Sequence, residues 1–254
     1  MFIFNLVHWL TSFLTSLFLT FLVIKLLFPY LKNYITVPKG PQIIHQGNTP
    51  RLGGISIFLT IALISIIELL TDQKNVLLYF IISIPLFSIS LLEDINQSIS
   101  PLIRLLASAL SGILFVFLFE IVINSVGIRF IDILIEIPII SILFTILCIT
   151  YLIQSFNIID GLNGLSLITA ILSFLAVVFL SYKVNDFKTF HVSITVIFIL
   201  LGVLIYNFPY GKIFIGDSGA YIIGLFLALS VIILVEKNPD ISPFVAVQIL
   251  IYPS

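Results

Sequence analysis

The chain has 254 residues, of which 60% are apolar and 9% charged, and its formal net charge is −1. A soluble domain carries about 25% charged and 45–50% apolar residues, so this composition excludes a soluble enzyme, a disordered tail and a fibre, and the near-zero charge gives no pull on nucleic acid. The single cysteine, Cys148, lies among apolar neighbours and excludes a disulfide scaffold or a cysteine-built metal cluster.

What remains is an all-α protein, a polytopic bundle of transmembrane helices. A span needs about 20 mostly apolar residues. In chain order the runs are Asn5–Tyr30, Gly53–Leu70, Val76–Leu92, Leu102–Asn124, Ile137–Phe156, Leu162–Tyr182, Phe190–Tyr206 and Ala220–Val235. They predict about eight complete spans. A ninth apolar stretch opens at Pro243 and, at about 12 residues, is too short to cross as an ordinary helix. The first run lacks the basic start and cleavage site of a signal peptide. No linker or repeat divides the chain, so the expectation is one integral-membrane domain over 1–254, truncated at its C-terminus.

Alternating spans put loops 31–52, 93–101, 157–161 and 207–219 on one membrane face. The other face receives 71–75, 125–136, 183–189 and 236–242, which read as short polar turns. Basic residues divide evenly between the faces. The first loop, however, carries Lys32, Lys39 and Arg51 with no acid, which places its face in the cytoplasm and the N-terminus outside. Lys25, Glu68 and Glu120 lie near span ends and are expected to snorkel. That leaves no mid-span charge of the kind a transporter uses.

All the chemistry-bearing clusters fall on the first face. Loop 31–52 holds Lys39, His45 and Arg51 beside Pro50 and Gly53-Gly54, a set suited to a phosphorylated ligand or to an ordinary basic loop. Glu93-Asp94 end a span. Adjacent carboxylates repel and favour a bound cation or a proton, and hard oxygen ligands suit Mg²⁺ together with substrate phosphates. Ser100-Pro101 reads as a helix cap and first turn, which sets Arg104 one turn inside, able to pair with Asp94 or to grip a phosphate. Asn157, Asp160, Gly161 and Asn163 interrupt apolar sequence; a tight turn explains Asp160-Gly161 but not both asparagines. Asn207 and Lys212 precede Gly216-Asp217-Ser218-Gly219, where Asp217 stands at a helix mouth. It can cap that helix, or hold a metal while the helix-start N–H groups hold a phosphate.

Four runs carry a resemblance: Thr49-Pro-Arg-Leu-Gly-Gly54, Glu93-Asp94 before Ser100-Pro101 and Arg104, Asn157-Ile-Ile-Asp-Gly-Leu-Asn-Gly-Leu165, and Phe214-Ile-Gly-Asp-Ser-Gly219. In this order, over about 32–235, the sequence resembles the polyprenyl-phosphate N-acetylhexosamine-1-phosphate transferases. The Pro-Arg-x-Gly-Gly form looks like the WecA-type branch, which starts O-antigen, enterobacterial common antigen or teichoic-acid linkage, more than like the peptidoglycan branch.

The resemblance implies transfer of sugar-1-phosphate from a UDP-N-acetylhexosamine to undecaprenyl phosphate, with release of UMP. It further implies Mg²⁺ (with Mn²⁺ as a substitute), ten or eleven helices, a cytoplasmic site in a bacterial inner membrane, and membrane lipid or a second copy of the chain as further partners. It makes Glu93, Asp94, Asp160 and Asp217 the catalytic candidates, with Asp217 and Asp94 on the metal. Lys39, His45, Arg51, Arg104, Asn157, Gly161, Asn163, Asn207 and Lys212 become the substrate-binding candidates. The sequence departs from the family pattern at Glu93 and Asn163, where many members carry Asp, and it ends before the family's His-rich loop. The competing expectations are an inactive lipid-phosphate-binding relative and, from composition alone, a transporter.

Overall fold

A computed structural model describes residues 2–31, 49–70 and 76–250, with the first helix described by backbone alone over 2–13. Its helices are α1 (Phe2–Leu31), α2 (Gly53–Leu70), α3 (Leu77–Asn96), α4 (Pro101–Phe119), α5 (Arg129–Ile135), α6 (Pro138–Ile159), α7 (Leu165–Lys183), α8 (Phe187–Asn207), α9 (Gly216–Lys237) and α10 (Phe244–Leu250). Seven of them, α2, α3, α4, α6, α7, α8 and α9, are long and apolar enough to cross a membrane, and Leu14–Tyr30 of α1 is a shorter apolar helix. The protein is an all-α, multi-pass membrane bundle, as its composition predicts.

The bundle is built around α9. Its sequence is apolar on every side, which marks a helix with no solvent or lipid face, and 94% of its apolar window is buried. It packs against α2, α3, α6, α7 and α8. Outer helices turn large side chains such as Phe18, Leu106, Phe117, Leu147, Leu172 and Phe179 outward, the lipid-facing pattern. Several hydroxyls inside the spans find carbonyl partners, since hydrocarbon offers none. Ser90 and Thr145 donate to the carbonyls four residues earlier, and Ser111 donates across to Ile82 on α3.

Several boundaries differ from the sequence expectation, each for a local reason. Span 102–124 stops at Phe119 because Glu120 takes a left-handed φ of 55° and closes its N–H onto Val116. Segment 125–136 is more than a polar turn: it contains α5, and Asp132 accepts from Val126 N at 2.7 Å and from Ser125 Oγ at 3.0 Å. Helix α3 runs on through Asn96, so Glu93 and Asp94 sit in its last turns rather than in a loop. Helix α9 starts at Gly216, which puts Asp217 in its first turn. Lys25 and Glu120 are exposed as expected. Glu68 does not snorkel: it is 4% exposed. One of its oxygens takes the Val76 N–H at 2.7 Å and the other lies 3.6 Å from His191 Nδ1. The Val76 N–H and the His191 imidazole stand where water would otherwise have been.

Candidate active site

Among the described residues the four clusters gather at one end of the bundle. The ends of α3, α6 and α8 meet the starts of α2, α4, α7 and α9. Pro50–Gly54 lies beside Phe214-Ile215: Phe214 N donates to Pro50 O at 2.9 Å, and Gly53 N and Gly54 N donate to Phe214 O and Ile215 O at 2.9 and 2.8 Å. Gly54 is required by this close approach, because a Cβ there would run into Ser218 and the Gly219 backbone.

Asp94 is the keystone of this junction. It is 4% exposed. Its Oδ1 accepts from Asp217 N at 2.9 Å and from Arg51 Nη1 at 3.2 Å, and its Oδ2 accepts from Ser218 N at 3.0 Å and from Ser218 Oγ at 2.6 Å. A carboxylate from α3 therefore caps the N-terminus of α9 from outside, where the helix dipole favours negative charge. Gly216 adopts φ +74°, and a Cβ there would lie 2.6 Å from Asp94 Oδ2. Two expectations change as a result. The helix-start N–H groups of Asp217 and Ser218 are taken by Asp94 and not offered to a phosphate. Arg104 does not pair with Asp94; Arg51 does.

The Glu93 and Asp94 carboxylates are adjacent in sequence but serve different partners. Consecutive helical residues point in directions about 100° apart. Glu93 Oε2 accepts the Ile99 N–H at 2.7 Å and closes the turn into α4. Ser100 caps α4 by accepting from Ile103 N, with Pro101 in the first turn, as the sequence predicts. Arg104 then reaches α9: its Nη1 meets Asp217 Oδ2 at 2.5 Å, with side chains 19% and 21% exposed. Arg104 Nε is buried with no acceptor among the described residues.

The third cluster forms the turn after α6. Asp160 stands at the C-terminal end of that helix and accepts from Ser166 Oγ at 2.6 Å. Burial pushes its carboxyl up to about 6; the Asp217 and Asp94 charges push the same way, and the Ser166 hydrogen bond and Arg51 oppose them. Asp160 is thus electrostatically in touch with Asp94, Asp217 and Arg51. Asn157 is half-buried one turn earlier, and its Nδ2 lies 3.4 Å from Tyr221 Oη. Gly161 is exposed, and Asn163 packs against Gly211. Asn207 is a strut: its Oδ1 accepts from Gly164 N at 2.6 Å and its Nδ2 donates to Ile213 O at 2.9 Å, at 3% exposure. Lys212 is exposed on the same loop. Lys39 and His45 lie outside the described residues.

Two residues of this junction are not among the candidates that the sequence offers. Tyr221 and Gln154 join the cluster from α9 and α6, Tyr221 Oη donating to Gln154 Oε1 at 3.2 Å. Their helical spacing, four residues after Asp217 and three before Asn157, was the available signal.

A family model described as Glycosyl transferase family 4 matches residues 76–235. The Undecaprenyl-phosphate alpha-N-acetylglucosaminyl 1-phosphate transferase of Thermotoga maritima is 28% identical over 194 residues, 76% of this chain and 55% of the relative. Phospho-N-acetylmuramoyl-pentapeptide-transferases from Staphylococcus aureus strains are 26% identical over 240 residues, 87% of this chain and 75% of theirs. The chain thus spans about half the length of the first relative and three quarters of the second.

Proposed function

The chain belongs to glycosyl transferase family 4, within the polyprenyl-phosphate hexosamine-1-phosphate transferases, and on that premise we propose that it transfers N-acetylhexosamine-1-phosphate from a UDP-sugar to undecaprenyl phosphate. UMP is the second product, and the lipid-linked sugar starts a cell-envelope glycan. The site face is then the cytoplasmic face of a bacterial inner membrane, with the N-terminus outside, in keeping with the basic first loop. The observation that carries the reading is the pairing of Arg104 with Asp217 at the membrane edge, Arg104 Nε being buried without an acceptor and Asp160 close by. A cation-holding carboxylate and an anion-holding guanidinium side by side suit a phosphate that changes partners.

In the reaction an oxygen of the lipid phosphate attacks the β-phosphorus of the nucleotide sugar. A new P–O bond forms there, the bond to the bridging oxygen of the α-phosphate breaks, and UMP carries off the electron pair. A phosphate monoester is largely ionised near neutrality, its second pKa being about 6, so no strong base is needed. Catalysis is mostly positioning and charge neutralisation. Arg104 and Arg51 hold phosphate charge, Asn157 orients the donor, and Asp94 fixes the start of α9.

The donor set fits a hard divalent ion. Among the described residues no three His, Cys, Asp or Glu side chains gather into a protein-built cage, and Mg²⁺ characteristically uses one or two carboxylates plus substrate phosphates. Asp217 and Asp160 would hold it. Asp94, fully engaged with α9 and Arg51, fits a positioning role better than a ligand's. Bound Mg²⁺, or Mn²⁺, would neutralise charge on the leaving phosphate.

Membranes carrying the full chain, given labelled UDP-N-acetylglucosamine, undecaprenyl phosphate and Mg²⁺, are expected to yield lipid-extractable label and UMP, and EDTA should stop both. Lack of lipid-linked product from every UDP-N-acetylhexosamine, UDP-N-acetylmuramoyl-pentapeptide included, would overturn the reading. The same assay across pH tests Asp160. With its carboxyl near 6, turnover should fall about tenfold per unit as pH drops below that value. Raising Mg²⁺ should move this limb to lower pH, because metal and proton compete for the carboxylate. The stability effect has the opposite sign: a raised carboxylate pKa favours the folded state below the unfolded value and loses that contribution as pH rises through about 6. A limb that ignores Mg²⁺ would remove Asp160 from the metal.

A further inference from the structure

We propose that Tyr221, oriented by Gln154 and Ser108, is a positioning residue that fixes how Asn157 and Arg104 are presented to the sugar nucleotide; this rests on the transferase reading above. Three helices contribute. On α4, Arg104 and Ser108 are one turn apart; on α6, Gln154 and Asn157; on α9, Asp217 and Tyr221. Such spacings put each pair on one helix face, and the three faces meet.

The direction of every hydrogen bond in the chain follows from donor arithmetic. Ser108 Oγ donates to Arg104 O at 3.0 Å, so its one proton is used. It must therefore accept from Gln154, and Gln154 Nε2 lies at 2.8 Å. The amide of Gln154 is thereby oriented, with Oε1 toward Tyr221 at 3.2 Å. Tyr221 spends its only proton there and can act toward its other neighbours only as an acceptor. Those neighbours are Asn157 Nδ2 at 3.4 Å and the guanidinium of Arg104. Asn157 turns its NH₂ toward Tyr221 at 3.4 Å, which leaves Oδ1 as what it can offer to a donor group on a ligand. Tyr221 is 1% exposed, so water does not compete for these bonds.

Neither Tyr221 nor Gln154 is asked to touch the reacting atoms. With Tyr221 removed, the Asn157 amide can flip and present a donor where an acceptor is needed, and Arg104 loses its second tether. One hydrogen bond has a net worth of about 1 kcal/mol, or about fivefold.

The test uses the full chain in membranes. Tyr221→Phe should lower kcat/KM for the UDP-sugar about fivefold to tenfold. In an Asn157→Ala background the same substitution should cost distinctly less, about twofold to threefold, because one of the two groups it orients is gone and only the Arg104 tether remains to be lost. The double variant Tyr221→Phe/Gln154→Met leaves no orphaned acceptor facing the phenyl ring; it should recover the melting temperature but not the turnover. Equal losses in both Asn157 backgrounds, or turnover that returns with stability, would overturn the positioning role while leaving the transferase reading intact. A parent chain without turnover would overturn the transferase reading first, and the positioning role with it.

Discussion

Asp217→Asn is expected to lower turnover about 10²–10³-fold, the loss of a few kcal/mol of charge stabilisation in the transition state, while the melting temperature stays within about 4 °C of the parent. The two halves of this expectation come from the same geometry. Asp217 is 21% exposed and its structural partner is Arg104, itself 19% exposed. A partly solvated pair of this kind contributes about 0–1 kcal/mol to stability. The backbone N–H of Asp217, which ties α9 to Asp94, survives the substitution. What is lost is one carboxylate at the tip of α9. The measurement is kcat at saturating donor together with the Mg²⁺ concentration for half-maximal rate, set beside a thermal melt in detergent. Turnover near the parent's would remove Asp217 from the chemistry.

Asp94→Asn is expected to fail in a different way. The carboxylate is buried and accepts from two backbone N–H groups, a hydroxyl and a guanidinium. An amide would turn an NH₂ toward donors and leave Arg51 without its counter-charge. Breaking one side of a buried charge pair costs about 3–5 kcal/mol, so the melting temperature should fall by roughly 6–20 °C. Turnover should fall at least about 10²-fold, since a 1 Å misplacement of reacting groups has that effect. The residual activity should keep the parent's Mg²⁺ dependence. A variant of parental stability with a weakened Mg²⁺ response would return Asp94 to the metal.

The contrast between these two acids shows what the sequence could and could not convey. Asp217, Asp160 and Arg104 are legible because polar residues at membrane depth are conspicuous, and the alternation of spans puts them on one face without any coordinates. The Ser100 cap is legible because capping is local. Asp94 is legible as important but not as a capping group, since its partners are 123 and 124 residues away and nothing local marks that the end of α3 abuts the start of α9. Reading Glu93-Asp94 as a unit imports an assumption of shared side-chain direction that helix geometry denies. Tyr221 reads as one more core aromatic and Gln154 as a polar residue near a span end. Only the packing of α4, α6 and α9 gives either a partner. The resemblance of the four runs recovers the family, but a motif names residues without saying which of their atoms are already engaged.

The burial of α9 has a consequence for how this protein can change. A lipid-facing position on an outer helix can exchange one apolar residue for another at little cost, because the neighbouring acyl chains conform to any shape. Helix α9 has no such side over its apolar window, 94% of which is buried, and protein neighbours conform poorly. Each position along it is constrained by fit, quite apart from chemistry. Asp217 therefore stands at the end of the most deeply buried span among the described residues. Variation that retunes the site without shifting that carboxylate has its room in the loops and turns around this helix, at residues such as Asn163, Tyr210 and Lys212.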